Sequence, residues 1–382
     1  NAVRLPFSFK DFELAPRSFV HQGCPLPSDE EVAASVTPPG SAVRGPAPRL
    51  PKSPPASSYA GDVCNAYLPA SSVRERFLWV AEFYARNGFV VLVDNHLRED
   101  QTALEDEDTW VASWASLAKD MFSRPALKAA LIFDILNEPD NFGMQWDKLG
   151  PMYLRAMSAI DQSTAGEAIF GIEGTGQSGL NANWGDGFAT TKINELGLSD
   201  PRPFFDALLK KPYANRVILA PHVYPPSVTN NENAATGNAL YDRLDTSFGT
   251  KQTNGYCDGS VCQKFPILIG EFGSKLEAAK DLESLGDLAT YLKDGNMGWF
   301  WWSWNANSGD TGGLVSDDWL RIQWKKIDYL RTIGLYPWAA GGDSPPVAST
   351  PSTPSTTPDT PSPSPSPKPQ PSTSPSPSPS PS

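Results

Sequence analysis

The chain has 382 residues and a net charge of −12, from 43 acidic and 31 basic side chains. That balance excludes nucleic acid or an anionic membrane surface as the expected partner, because either calls for a basic face. No apolar run reaches the length of a membrane span, and the sequence does not open on a basic-then-apolar leader.

The first apolar run, residues 2–5, reads as a strand and carries Arg4. Residues 21–70 break the pattern. They are rich in Pro, Ser and Ala, lack periodicity, and are expected to form an irregular insertion over one face or to be partly disordered. Of the four cysteines, Cys24 and Cys64 fall in this stretch, and Cys257 and Cys262 lie close together later. The sequence-local disulfides, Cys24–Cys64 and Cys257–Cys262, are favoured over zinc, since no second Cys-rich cluster or nearby histidine completes a metal set. They imply an oxidising compartment, hence a secreted, extracellular protein.

From Ser72 onward, apolar runs alternate with amphipathic helical patterns. The runs are 89–94, 131–136, 168–173, 216–221, 266–270 and 298–302, each reading as a strand buried on both faces. Between them, Phe77, Val80, Ala81 and Tyr84 share one helical face, with Ser72 as cap and Gly88 as stop. Trp110, Trp114, Leu117 and Met121 mark a second helix; Leu149, Tyr153, Ala156 and Ile160 a third. A late helix is expected from Trp319 to Ile333, ending at Gly334. Strand–helix repetition predicts a parallel sheet, and the absence of a glycine-rich phosphate loop favours a closed (β/α)8 TIM barrel over an open sheet. Seven strands are countable where a barrel needs eight, so the barrel is expected to be truncated at its N-terminus. The barrel domain is assigned to residues 1–340. In 343–382, which hold 15 of the 38 prolines, the Ser/Thr/Pro composition predicts a disordered linker or tail.

Polar residues gather at the C-terminal ends of the strand runs, where barrel enzymes place their sites. Asp94 and His96 end one run, Asn137 and Glu138 another, His222 and Tyr224 a third, Glu271 a fourth, and Trp302 the last. Two strand-end carboxylates among aromatics and neutral polar groups suit glycoside hydrolysis, in which one protonates the leaving oxygen and the other attacks the anomeric carbon. Arg4 and Tyr224 are candidates to hold Glu271 ionised; His96, His222 and Asn137 to bind sugar hydroxyls; and Trp302 and Trp184 to stack on sugar rings. The plainer readings are a salt-bridged Arg4–Glu271 pair, core histidines and a core Trp302. Glu173 ends a strand without motif support and is read as structural or peripheral. A metal-dependent hydrolase would want three or more clustered ligands, with only two histidines well placed, so no metal or cofactor is expected.

The segments Asn1-Ala-Val-Arg-Leu-Pro-Phe, Leu92-Val-Asp-Asn-His96, Phe133-Asp-Ile-Leu-Asn-Glu-Pro139, Pro221-His-Val-Tyr224, Ile269-Gly-Glu-Phe-Gly273 and Trp301-Trp-Ser-Trp-Asn305 resemble glycoside hydrolase family 5 in kind and order. The resemblance covers roughly residues 1 to 335 and is narrowest towards bacterial-type endoglucanases. It implies Glu138 as acid/base, Glu271 as nucleophile, and Asn137 on the 2-hydroxyl. It places Arg4, His96, His222 and Tyr224 around them, with Trp302 as platform and Trp184 as a subsite residue. The family's first strand, usually preceded by a Gly-x-Asn motif that helps line the cleft, has no counterpart here. The expectation is a monomeric, retaining endo-β-1,4-glucanase acting on β-glucan. A mannanase, a xyloglucanase or a non-catalytic glycan-binding cell-wall protein are the alternatives.

Overall fold

A computed structural model describes residues 2–14, 68–69, 71–96, 101–182, 184–233, 235–305, 308–317 and 321–335. The chain divides into Asn1–Pro337 and Trp338–Ser382, and the second unit lies outside the described residues. So do Cys24, Cys64 and nearly all of the 21–70 insertion.

Five parallel strands follow in chain order: β1 (Ala2–Phe7), β2 (Val90–Asn95), β3 (Leu131–Asp134), β4 (Phe170–Ile172) and β5 (Val217–Leu219). An antiparallel hairpin, β6 (Tyr256–Asp258) and β7 (Val261–Gln263), interrupts the alternation, with the Cys257–Cys262 disulfide across it. Two further parallel strands, β8 (Leu268–Phe272) and β9 (Gly298–Trp301), pair with each other. Parallel bridges at Leu219↔Ile267 and His222↔Glu271 carry β5 across to β8. The architecture is that of a (β/α)8 barrel, with seven parallel strands among the described residues and no ladder joining β9 to β1 there.

Strand bounds differ from the sequence expectation for identifiable reasons. β1 runs on through Pro6 to Phe7, because among the described residues it pairs only with β2, and a side without a ladder there tolerates a residue without an N–H. β3 stops at Asp134, yet Ile135 and Leu136 stay buried and Asn137 N–H still donates to Asn95 O at 3.0 Å, so the run continues as irregular backbone. β8 lies two residues later than its apolar run suggests and takes in Gly270, Glu271 and Phe272.

Helices cover the sheet. In α1 (Val73–Arg86) Ser72 Oγ accepts the Glu75 N–H at 3.0 Å, and Gly88 turns the chain with φ of 84°. α2 (Glu107–Phe122) is capped by Asp106 and buries Trp110, Trp114, Leu117 and Met121. α3 (Trp146–Ser163) buries Leu149, Tyr153, Ala156 and Ile160. α4 (Arg202–Leu208), α5 (Gly237–Leu244) and α6 (Ala279–Asp294) follow, α5 running into a π-helical turn at Asp245–Gly249. α7 (Trp324–Thr332) starts later than expected and ends before Gly334; Trp319 lies outside the described residues. Between sheet and helices, Phe7 meets Phe9, Phe77 and Trp114 at ring separations of 5.0, 5.1 and 5.4 Å. Burying such rings stabilises by about 1.5–3 kcal/mol each, so this layer fixes where the strand ends point.

Candidate active site

Arg4 projects from β1 into the barrel with its side chain only 4% exposed, among four carboxylates carried in or just past four different strands. Nε meets Asp134 Oδ2 at 3.1 Å, Nη2 meets Asp94 Oδ2 and Glu173 Oε1 at 3.2 Å each, and Nη1 is bonded to Glu271 Oε1. Nη2 also donates to Asn137 Oδ1 at 2.9 Å. Burial by itself would lower the Arg4 pKa; Asp94, Glu271, Asp134 and Glu173 reverse that and raise it well above the usual value.

Glu138 follows β3 in the left-handed region at φ 42°, ahead of a 3-10 turn beginning at Pro139. A non-glycine residue rarely sits there, and the surroundings fix it: its N–H donates to Glu173 Oε2 at 2.8 Å. Its Oε1 lies 2.9 Å from His222 Nδ1, and its Oε2 accepts from Asn141 Nδ2 at 2.7 Å. Burial opposes ionisation of Glu138, but the His222 hydrogen bond and the charges of His222, His96 and Arg4 outweigh it and hold the carboxyl below the usual range. His222 is fully buried and its pKa rises well above normal. Desolvation opposes this, and Glu173, Glu271 and the Glu138 hydrogen bond drive it.

Glu271 sits where the β8–β9 register shifts between Ile269 and Phe272, an irregularity of the kind that re-aims a side chain. Its Oε2 accepts from Tyr224 Oη at 2.5 Å and lies 3.6 Å from His222 Nδ1. The preceding Gly270 makes room for the imidazole: a Cβ there would come within 2.8 Å of His222 Nε2. One carboxylate oxygen each from Glu138 and Glu271 lies with His222 Nδ1 or Nε2 inside a mutual separation of 4.8 Å. Burial, helped by Glu271 and Glu138, raises the Tyr224 pKa far enough to keep its phenol a donor.

His96 and Trp302 stack on one flank, 5.7 Å apart and 9° from parallel. His96 Nδ1 lies 2.7 Å from Asp94 Oδ2; burial lowers its pKa, but Asp94 more than compensates and brings it to about 9. On the other flank Trp184 meets Tyr224 edge-on at 5.9 Å. The loop carrying Trp184 is tied to the Glu138 turn by Asp140, which accepts Gly176 N–H at 2.7 Å and Gly185 N–H at 3.0 Å. Burial pushes the Asp140 carboxyl up to about 7 against those two hydrogen bonds. Gly185, at φ 71°, is needed twice over, since a Cβ would also lie 2.2 Å from Glu173 Oε2.

All nine residues singled out from sequence thus fall in one cleft or on its flanks. Of the two sequence readings of Glu173, structural or peripheral, the structure excludes the peripheral one. Glu173 is fully buried beneath Glu138, with Oε1 also 3.1 Å from His222 Nε2, though out of line for a hydrogen bond. Burial raises its pKa to about 8. Asp94 and Asp134 also belong to the cluster, and the signal for all three was Arg4 within the first apolar run, an arginine that needs compensating anions. Asp94–His96–Glu271, Glu138–His222–Glu271 and Asp94–Asp134–Glu173 each gather possible metal ligands. Arg4 is bonded to at least one member of every group, so positive charge already sits where a cation would.

The sequence pattern of cellulase (glycosyl hydrolase family 5) matches residues 54–308. The major extracellular endoglucanase of Xanthomonas campestris pv. campestris is 30% identical over 292 residues, 70% of this chain and 53% of that protein. An endoglucanase of Paenibacillus polymyxa is 28% identical over 248 residues, 61% of this chain and 56% of its own length. The chain therefore spans about half the length of these relatives. Among solved structures, the catalytic domain of the Xanthomonas enzyme superposes with a TM-score of 0.50 at 26% identity, over 68% of this chain and 73% of that one. An endocellulase from Pyrococcus horikoshii, in complex with cellotetraose, reaches 0.53 at 21% identity over 87% and 82%, a likeness of fold.

Proposed function

The chain belongs to the cellulases of glycosyl hydrolase family 5, and from that premise we propose that it cleaves internal β-1,4-glucan bonds with net retention, Glu271 acting as nucleophile and Glu138 as acid/base. The observation that carries this reading is the closeness of the two carboxylates, oxygen to oxygen within 4.8 Å around His222. Retaining glycosidases hold their carboxyl groups about 5–5.5 Å apart, whereas inverting ones leave a wider gap for water.

In the first step Glu271 attacks the anomeric carbon, its two oxygens aimed by the bonds from Arg4 Nη1 and Tyr224 Oη. Glu138 protonates the departing oxygen. Its proton is shared with His222 along the 2.9 Å Nδ1–Oε1 contact, so substrate that excludes water needs only to draw it onto Oε1. In the second step Glu138 takes a proton from the incoming water, and the Glu271–sugar bond breaks with the β-configuration restored. Asn137, held by Arg4, contacts the 2-hydroxyl. Trp302, backed by His96, lies under the sugar being cleaved, and Trp184 flanks a neighbouring unit. The relatives named as endoglucanases favour β-glucan over other β-glycans as substrate. The Cys257–Cys262 disulfide and the extracellular relative favour secretion.

Proton NMR of cello-oligosaccharide hydrolysis tests the reading, with the β-anomer expected as first product. Glu138→Gln should retain the first step on dinitrophenyl cellobioside, whose leaving group needs little protonation, while losing cellulose hydrolysis. Release of the α-anomer first, or equal loss on both substrates, would refute the assigned roles.

A further inference from the structure

An open pocket of about 640 Å³ lies apart from the carboxylate cluster and shares no lining residue with it. Its walls are the segment at Thr190–Lys192, the end of α5, the π-helical turn and the turn that follows. Lys251 lines it. This lysine is 3% exposed; no side-chain bond from another described residue holds its ammonium, which is not shut off from solvent and opens on the pocket. Burial alone acts on it and brings its pKa down to about 8. Lysine is almost never buried this far without a partner, and an apolar side chain of the same length would fill the position without the desolvation cost.

The nearby carboxylates do not supply that partner. Asp245 accepts Tyr291 Oη at 2.7 Å, an approach that depends on Gly249, where a Cβ would lie 1.9 Å from the same phenol oxygen. Asp242 and the exposed Lys192 face the pocket from its other walls. The remaining polar lining includes the hydroxyls of Thr190, Thr246 and Thr250, and no aromatic ring takes part.

We propose that this pocket binds a carboxylate-bearing sugar, Lys251 pairing with the carboxylate while the threonines and Lys192 hold ring hydroxyls. The volume falls in the range of small-molecule sites, about 300–1,000 Å³. Hydroxyl and charge pairing replace the aromatic stacking on which a neutral pyranose depends. Asp242 and Asp245 select against a multiply charged anion, which would meet two like charges.

Calorimetric titration of the full chain with glucuronate, glucose, acetate and inorganic phosphate tests this. Glucuronate is expected to bind with the highest affinity, and Lys251→Met to weaken it about tenfold to a hundredfold, as befits loss of one charge-assisted bond. The variant should melt no lower than the parent, having kept the buried stem and lost only a charge that burial disfavours, and should hydrolyse glucan at the parent rate, which separates this site from the catalytic reading. If Lys251→Met does not fold, Lys192→Met on the rim should still weaken glucuronate several-fold. Absence of glucuronate binding, or binding unchanged in the variant, overturns the site. Phosphate or acetate binding as tightly as glucuronate overturns the sugar and leaves a bare-anion pocket.

Discussion

From β1 to β5 the barrel is stitched by continuous registers, Ala2↔Val90 through Phe7↔Asn95 and onward. Among the described residues, β8 and β9 form a separate pair that meets the β5 segment at two isolated bridges, one of which joins His222 to Glu271. Glu138 belongs to the first arc and Glu271 to the second. The first carboxylate lies past the end of its strand, its N–H held by Glu173 Oε2; the second lies within β8, its backbone carbonyl accepting Val223 N–H at 3.0 Å and its carboxylate bonded by Arg4 and Tyr224. The joint between the arcs is therefore made partly of the groups that would do the chemistry, and rigidity and reactivity draw on the same charges.

The largest effect should come from Glu271→Gln, which leaves both arcs intact but removes the nucleophile; turnover of every substrate should fall about 10⁴-fold or more. Steady-state rates on glucan and on dinitrophenyl cellobioside measure it, and a residual rate above one hundredth of the parent would move the nucleophile elsewhere. Arg4→Met should come next. It leaves Asp94, Asp134, Glu173 and Glu271 without their shared cation, at a cost of about 3–5 kcal/mol by urea unfolding. A loss below about 1 kcal/mol would mean that backbone bridges alone join the arcs.

A smaller effect is a decline of stability with rising pH. His96 gains protons on folding, its pKa moving from 6.5 to about 9, so its contribution is complete below 6.5 and is lost as pH rises through 9. Glu173, raised to about 8 by burial, slopes the same way, since the folded state holds its proton longer than the unfolded chain does. The His96 share is on the order of 3 kcal/mol, and His96→Asn should remove it from melting curves recorded across that window. A parent whose stability is flat from pH 6.5 to 9 would contradict this account. The smallest effect belongs to the hairpin outside both arcs. Cys257→Ser with Cys262→Ser should cost about 2 kcal/mol through the short loop it opens, with glucan hydrolysis unchanged. A change in activity would tie the hairpin to the second arc.

Much of this was legible in the sequence because it is written locally. Seven apolar runs became seven parallel strands, Ser72 caps the helix its position announces, and the close spacing of Cys257 and Cys262 announces their bond. The strand-end residues could be collected because a barrel brings all strand ends to one rim. Glu173 escaped because its role is defined by what lies above it, Glu138 and His222, which are 35 and 49 positions away and reach it only after closure of the barrel. Asp140 escaped for a related reason. Beside Asn-Glu-Pro it reads as a turn residue, and only the folded loop reveals the N–H groups it receives. The late start of α7 and the π-helical turn reflect tertiary packing, which periodicity does not encode.

The Asp140 clamp has a consequence for anyone wishing to redirect this protein to another polymer. Only Pro139 separates it from Glu138, and its carboxylate grips the loop that presents Trp184. Grip on the chain and delivery of the proton are mechanically one part. Recutting the loop for a bulkier or branched polymer would drag the Glu138 turn with it. Variants that widen the groove at Trp184 should therefore be selected together with compensating changes at 139–143, as a single cassette rather than position by position.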